Sequence, residues 1–229
     1  MTADVQPMPA ADHGHAPAVA HGSGGLGTPV LGMLLFITSE VMFFAGLFAA
    51  YFSIRANFID NGGVHRWPPQ EFAKLLNPFS LTTDSGQPNL IVFATLILII
   101  SSFTCQIGVN AIKRNDRRGF IRGIAATLTL GVLFLTMQAF DYSVLFHEGM
   151  TMGSGTFGTT YFTLTGFHGA HVFGGVLMLA VVLYRGMAGQ FSARHHDMVE
   201  AMSIYWHFVD VVWILLFSTL YLLPGTPGQ

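Results

Sequence analysis

Five apolar runs, each long enough to cross a bilayer as a helix, divide this chain of 229 residues. A hydrocarbon core about 30 Å thick is spanned by about 20 helical residues. The runs are continuous and do not alternate between apolar and polar positions, so they predict helices and not the strands of a membrane barrel. We expect spans at residues 29–55, 89–112, 119–146, 158–184 and 198–223. The pattern therefore predicts an all-α polytopic membrane protein, with one membrane domain over residues 27–229.

Ionisable side chains interrupt several of these runs. The most informative are Glu40 in the first run, His168 and His171 in the fourth, and Glu200, His207 and Asp210 in the fifth. A charged group at mid-membrane depth costs at least ~2.5–3.5 kcal/mol on insertion scales, so such a group usually has a partner and a role. At 100° per residue, the three groups of the fifth run fall with Ser203 within an arc of about 80°. We expect this polar seam to face the interior of the bundle, with Trp206 and Trp213 pointing elsewhere.

Depth in the membrane predicts a partner for Glu40. Glu40 lies eleven residues into the first span, and His207 lies ten residues into a span that starts on the same side. At ~1.5 Å per residue, both side chains sit about 15–16 Å from that side, so we expect them to share a hydrogen bond. Asp141 and Glu148 are expected near the opposite surface, where water is at hand.

Packing and metal ligation are the alternatives for these polar residues. A histidine within a helix bundle is commonly a hydrogen-bonded packing element, and residues such as Gln138 and Thr165 hold helices together at ~0.6 kcal/mol each. His168, His171 and His207 together would make a compact three-histidine metal site. No pattern of Cys or Met residues supports haem or copper ligation, so we expect no redox cofactor in this chain.

Composition agrees with a membrane location. Charged residues make up 10% of the chain and hydrophobic residues 52%, whereas soluble domains carry roughly 25% charged residues. Lys and Arg are not gathered on one face, which leaves nucleic-acid binding unsupported. Residues 1–26 are rich in Ala, Pro, Gly and His and lack the apolar centre of a secretory signal, so we expect a disordered cytoplasmic tail. A metal site in that tail, at His13, His15 and His21, is the less favoured alternative.

The basic residues predict the orientation. Seven Lys and Arg residues lie on the side of the N-terminus, and five of them are packed into residues 113–122; the other side carries three. Because short cytoplasmic connections are enriched in Lys and Arg, we expect the N-terminus in the cytoplasm and the C-terminus outside. The long connection at residues 56–88 is then external, and Trp67-Pro68-Pro69 stiffens part of it.

Four segments carry a family resemblance. They are Ile37–Phe44, Gln138–Tyr142, Thr165–Gly175 and Glu200–Trp213. In this order, on four of the five predicted helices, they resemble subunit III of the haem–copper respiratory oxidases, over nearly the whole chain from about residue 21. Longer members of that family have two additional helices before the span that matches residues 29–55. The chain therefore resembles the shorter, five-helix bacterial form.

The resemblance implies a non-catalytic subunit of a terminal oxidase in the bacterial plasma membrane. In this family the haem and copper centres lie in subunits I and II, on which cytochrome c docks. Subunit III forms a V-shaped bundle whose cleft holds phospholipid. It is thought to sustain proton uptake by subunit I and to protect the active site from inactivation during turnover. These partners, and the absence of a cofactor in the chain itself, are expectations from the resemblance.

The resemblance also implies roles for individual residues. Glu40 matches the family's buried carboxylate, which reacts with hydrophobic carbodiimides. Lipid contact is implied for residues at the inner ends of the helices, namely His21, Arg185, His195 and His196. The chain departs from the family at Asp141, where a Glu is usual, which shortens the carboxylate without removing it.

Other proteins of the same superfamily are the alternatives. Ser39-Glu40 and the Trp67-Pro68-Pro69 segment favour a cytochrome c oxidase, because quinol oxidases tend to have Ser-Asp at the first position and commonly lack the second. A quinol oxidase subunit III, or the related accessory subunit of nitric oxide reductase, remains the alternative. A transporter is disfavoured, because transporters favour internal repeats and helices broken at mid-membrane.

Overall fold

The computed structural model describes residues 27–57, 67–69 and 90–223. Within these ranges the chain forms five long α-helices, each long and apolar enough to span a membrane. They are α1 (Thr28–Asn57), α2 (Ile91–Lys113), α3 (Arg117–His147), α4 (Thr156–Met187) and α5 (Asp197–Phe217), which continues through a π-helical turn at Ser218–Leu222. The prediction of an all-α membrane bundle is confirmed. The predicted tail at residues 1–26 and the predicted stop at Pro224 lie outside the described residues.

Local chemistry explains where several helices begin and end. The side chain of Asp116 caps α3 by accepting a hydrogen bond from the backbone N–H of Gly119 over 3.0 Å. Gly155, with φ of 116°, precedes α4, and Gly189, with φ of 75°, follows it. Few residues other than glycine adopt these angles without strain, which explains why a glycine lies at each end of α4.

The closest helix pair is the α2–α3 hairpin, and glycine makes that contact possible. A Cβ atom built on Gly123 would lie 2.7 Å from the Cα and N atoms of Gly108 in the facing helix. Since no real Cβ tolerates that separation, only glycine at this position permits the observed backbone approach. The hydroxyl groups of Thr104 and Thr127, 2.8 Å apart, join the same two helices by a hydrogen bond.

Helix α5 lies at the centre of the bundle, with α1, α2 and α4 packed around it. Trp206 and Trp213 are each 1% exposed, and their indole N–H groups donate to Ser101 and Thr95 of α2 over 3.0 Å. The expectation that the tryptophans point away from the interior was wrong. Because α5 is surrounded, both its polar seam and its aromatic side face protein.

The outer surface of the bundle is apolar, as lipid contact requires. Met42 on α1 is 74% exposed and Phe103 on α2 is 68% exposed. Trp67, from the long connection, is instead buried, and its indole N–H donates to the hydroxyl of Tyr51 over 3.0 Å. That contact ties the connection to the end of α1.

Candidate functional site

The carboxylate of Glu40 pairs with His171 across the interface of α1 and α4. Its Oε2 atom lies 2.9 Å from Nε2 of His171, and the two side chains are 18% and 16% exposed. The other ring nitrogen, Nδ1, lies 2.7 Å from the backbone carbonyl oxygen of Phe167. Both ring nitrogens of His171 therefore have partners inside the protein.

The two hydrogen bonds of His171 fix the number of protons in the pair. A carbonyl oxygen only accepts, so Nδ1 carries a hydrogen and donates it to Phe167. The contact between Nε2 and Glu40 then holds one proton, either on a neutral carboxyl group that donates to the ring or on an imidazolium that donates to a carboxylate. The pair has no net charge in either form. This arrangement makes a carboxyl group tolerable among Phe and Met side chains at membrane depth.

Aromatic rings frame the pair. The ring of Phe44 lies 5.0 Å from that of His171 in an edge-to-face arrangement, and Phe43 stands 6.2 Å away. From α5, the hydroxyl of Tyr205 donates to the backbone carbonyl of His171 over 3.0 Å. Gly174, almost one turn further along α4, faces the same hydroxyl, and a Cβ built there would stand in ordinary contact with it at 3.4 Å. Helices α1, α4 and α5 thus converge on His171.

The predicted hydrogen bond between Glu40 and His207 is wrong, because equal depth does not place two side chains on facing sides. Tyr205 and Phe208 are the residues of α5 that reach the pair, the first through His171 and the second through Phe44. At 100° per residue, His207 points about 100° away from Phe208 and about 160° away from Tyr205. The position of Glu40 along its predicted span indicated the depth of the site, but it did not indicate which helix face Glu40 contacts.

His168 lies in the aromatic core and does not reach Glu40. Its side chain is fully buried, and neither ring nitrogen has a hydrogen-bond partner within the described ranges. The ring packs 4.9 Å from Trp213 and 6.1 Å from Phe134. Although His168 and His171 are three residues apart on α4, only His171 faces α1.

The polar seam of α5 packs against α2. Asp210 accepts a hydrogen bond from the hydroxyl of Ser102 over 2.6 Å, although its other carboxylate oxygen is buried without a partner among the described residues. Ser203 stands 3.7 Å from the thiol of Cys105. At the end of the seam, Glu200 forms an ion pair with Lys113 at 2.7 Å. This ion pair was not expected from the sequence. Lys113 is the last residue of α2, and the sequence pattern did not indicate that α2 and α5 are neighbours.

A second polar cluster surrounds Asp141 near the other end of the bundle. The hydroxyl of Tyr161 lies 3.5 Å from the Asp141 carboxylate and is also hydrogen-bonded to the hydroxyl of Tyr221. Asp141 is half-buried, so protein hydroxyls and not water alone surround it. Neither tyrosine was predicted from the sequence to contact Asp141. Tyr161 could have been, because Asp141 and Tyr161 lie at similar depth, near the neighbouring ends of α3 and α4.

Three of the residues assigned to lipid contact, Arg185, His195 and His196, lie near the end of α4 and the start of α5. The Nε of Arg185 donates to Gln190 over 2.7 Å, and its guanidinium carbon stands 5.3 Å from the centre of the Phe191 ring. His195 is exposed, and His196 lies 3.3 Å from Glu200. His21 lies outside the described residues.

Metal ligation finds no geometric support in the part of the chain that the structure describes. Within it, no group of three or more His, Cys, Asp or Glu residues is placed to hold a metal ion. The three-histidine alternative fails because the histidines do not converge. His168 packs against Trp213, whereas His171 is hydrogen-bonded to Glu40.

Comparison with known proteins identifies a family that fits this arrangement. The family model described as cytochrome c oxidase subunit III matches residues 9–224. Cytochrome c oxidase subunit 3 of Corynebacterium diphtheriae is 44% identical over 194 residues, which cover 84% of this chain and 87% of that protein. The protein of the same name from Thermostichus vulcanus is 38% identical over 212 residues, covering 92% and 94%. That of Cyprinus carpio is 39% identical over 191 residues, covering 83% and 67%.

Proposed function

This chain belongs to the cytochrome c oxidase subunit III family, and from that membership we propose that it sustains proton delivery to the catalytic subunit of its oxidase and binds structural phospholipid. The chain is a non-catalytic subunit of an aerobic cytochrome c oxidase complex. Subunit III proteins lack redox centres. The partners we propose are subunits I and II, which would hold the haem and copper, and cytochrome c would dock on those partners.

The Glu40–His171 pair is the observation that carries the proposal. It joins α1, which otherwise packs chiefly on α5, to α4 at membrane depth. A partly buried hydrogen bond with no net charge holds two helices together without leaving an uncompensated charge in lipid. We infer that the pair fixes α1 against the rest of the bundle. Proton uptake in the neighbouring subunit would then depend on this chain through the surface and the lipid that the fixed bundle presents.

Lipid contact is proposed at Arg185, with His21, His195 and His196 as further contacts. Two donor groups of Arg185 are engaged by Gln190 and Met198, which hold the guanidinium in place. Its remaining nitrogen, Nη2, has no partner within the described ranges and is free to donate to a phosphate oxygen. Such a bond is charge-assisted and therefore stronger than a neutral hydrogen bond.

The protein is a multi-pass membrane protein. We propose the bacterial plasma membrane as its location, with the N-terminus in the cytoplasm and the C-terminus outside. The support is the sequence count of Lys and Arg, seven in the segments predicted on the side of the N-terminus against three in those predicted on the other side. Contact between Gly27 and Asp197 at the basic end agrees with the start of α1 and the start of α5 sharing one side.

A quinol oxidase or a nitric oxide reductase subunit is the weaker alternative. The curated relatives described above carry the name cytochrome c oxidase, from a bacterium related at 44% identity to a fish at 39%. These names favour the cytochrome c oxidase assignment that Ser39-Glu40 and Trp67-Pro68-Pro69 suggested.

The proposal is tested by variants of Glu40 in the assembled oxidase. Glu40→Ala removes the pair, whereas Glu40→Gln keeps an N–H group that can donate to Nε2 of His171. We expect the Ala variant to lose activity after fewer turnovers than wild type in a continuous record of oxygen consumption, and the Gln variant to remain close to wild type. His207→Asn is the matched control, because it changes a histidine near the same depth that does not touch Glu40. Equal lifetimes for wild type and Glu40→Ala would refute a role for the pair.

A further inference from the structure

One face of α2 carries a line of outward-facing apolar side chains that ends in a polar, basic pocket. The line, called here the α2 stripe, consists of Phe93, Leu96, Ile100, Phe103 and Ile107. Their exposed fractions run from 50% to 68%. The spacing alternates between three and four residues, which keeps all five on one helix face over about 21 Å. Continuing the same spacing leads to Asn110 and then to Arg114.

The pocket lies where α2 ends and α3 begins. It has a volume of about 280 Å³ and is lined by Ile107, Asn110, Ala111, Arg114, Asp116 and Gly119. The carboxamide oxygen of Asn110 accepts a hydrogen bond from Gln106 over 3.2 Å, so its NH₂ group is left to donate. The last apolar residue of the α2 stripe is therefore also a wall of the pocket, which lies where the apolar helix ends and the basic turn to α3 begins.

The cations around the pocket fall into two sets. Lys113 is engaged by Glu200, and Arg117 donates to the backbone carbonyls of Gly186 and Met187 at the end of α4. The second set is Arg114, Arg118 and Arg122, whose side chains form no hydrogen bond or ion pair with any other residue that the structure describes. Arg118 and Arg122 are four residues apart on α3 and so share the face beside Gly119. Against these three positive charges stands the single carboxylate of Asp116.

We propose that this pocket binds the headgroup of an anionic phospholipid, with its phosphate at Arg114 and Asn110 and its acyl chains along the α2 stripe. Arg114 and the NH₂ of Asn110 supply donors for the phosphate oxygens, and Arg118 and Arg122 supply the surrounding positive potential. The carboxylate of Asp116 accepts from a headgroup hydroxyl, as the glycerol headgroup of phosphatidylglycerol provides. The site is built from α2 and α3 and is separate from the contact proposed at Arg185.

The proposal is tested on the whole oxidase in nanodiscs of phosphatidylcholine. The probe is a photoactivatable phosphatidylglycerol present as a minor component, and labelled peptides are mapped by mass spectrometry. We expect labelling of residues 103–119, reduced about fivefold in Arg114→Gln, since one interfacial Arg contributes about that factor to anionic lipid binding. The matched control is Arg194→Gln, which removes one exposed charge from the same end of the bundle and should leave the labelling unchanged. A phosphatidylcholine probe of the same design should label the segment more weakly.

Three results would overturn the proposal. Equal labelling of wild type and Arg114→Gln would show that the charge of Arg114 does not hold the lipid. Equal labelling by the two probes would show that the contact is boundary lipid without headgroup selection. Labelling absent from residues 103–119, with crosslinks between α2 and another subunit, would show that a protein partner covers the α2 stripe.

Discussion

Glu40 and His171 lie 131 positions apart in the chain and share one hydrogen bond of 2.9 Å between α1 and α4. Because Nδ1 of His171 donates to the carbonyl of Phe167, Nδ1 carries a hydrogen. The hydrogen bond between Nε2 and Glu40 then contains one further proton. This relationship explains how the first helix tolerates a carboxyl group among Phe43, Phe44 and Met42. It also gives the first experiment a definite chemical basis.

Replacement of Glu40 and His171 by Ala, singly and together, should be non-additive. Each single change leaves one partner without its hydrogen bond, and the double change removes both groups. We expect a coupling energy of about 0.6 kcal/mol and at most about 1.7 kcal/mol, the average and the maximum found for interhelical hydrogen bonds in a membrane protein. The measurement is the free energy of unfolding of the isolated subunit in mixed micelles. Additive effects of the two changes would show that the observed pair contributes no interaction energy.

The α2–α3 contact gives a prediction about packing. Gly123→Ala places a methyl group 2.7 Å from the backbone of Gly108, so the helices must separate. We expect a cost of about 1–3 kcal/mol, typical of overpacking. Gly46→Ala is the matched control, because a Cβ at Gly46 meets no atom within 4 Å. Thermal unfolding of the subunit should show a lower midpoint for Gly123→Ala and no decrease for Gly46→Ala; similar midpoints for the two variants would contradict this account of the contact.

The helices were predictable because membrane depth imposes a length. Each of the five predicted spans overlaps one helix, and the ends differ by at most three residues when the π-helical turn is counted with α5. Hydrocarbon thickness sets these lengths through the apolar runs, whatever the neighbours of each helix are. The same rule places Glu40 at membrane depth.

Lateral arrangement was not predictable from the same pattern. Depth placed Glu40 level with His207, but the choice between His207 and His171 depends on how α1 sits between α4 and α5. Close approaches set that arrangement, and one of them is Gly175, where a Cβ would meet the Trp206 ring at 2.8 Å. A glycine in the sequence shows that close approach is allowed but does not show which helix approaches. For the same reason the ion pair between Lys113 and Glu200 could not be predicted from the sequence.

Arg185 gives a prediction about bound lipid. Arg185→Ala should lower the phospholipid retained by the purified oxidase, because the proposed phosphate contact disappears, whereas Arg185→Lys should retain part of it through its charge. For a contact worth about 1 kcal/mol, the affinity for an anionic lipid falls roughly fivefold. Quantitative lipid mass spectrometry of the washed complex makes the comparison, with Arg194→Ala as a control from the same end of the bundle. Unchanged lipid content in Arg185→Ala would count against the contact.

The isolated chain should carry no redox cofactor. Among the described residues no group of three or more His, Cys, Asp or Glu is placed to hold a metal ion, and subunit III proteins lack redox centres. Purified alone, the subunit should show no Soret absorption and no stoichiometric metal by elemental analysis. The intact oxidase, analysed alongside, is the positive control. Stoichiometric haem or copper in the isolated subunit would contradict its assignment as non-catalytic.

Removal of this subunit from the assembled oxidase tests the central claim most directly. Electron transfer should remain possible, because no redox centre leaves with the chain, while proton supply and the working life of the enzyme should suffer. Oxygen consumption is followed over time across a pH series, with and without the subunit. We predict a near-normal initial rate at low pH, where protons are plentiful, and at higher pH a slower rate with progressive inactivation. Immediate and complete loss of activity at every pH, or traces identical to those of the intact enzyme, would contradict the account.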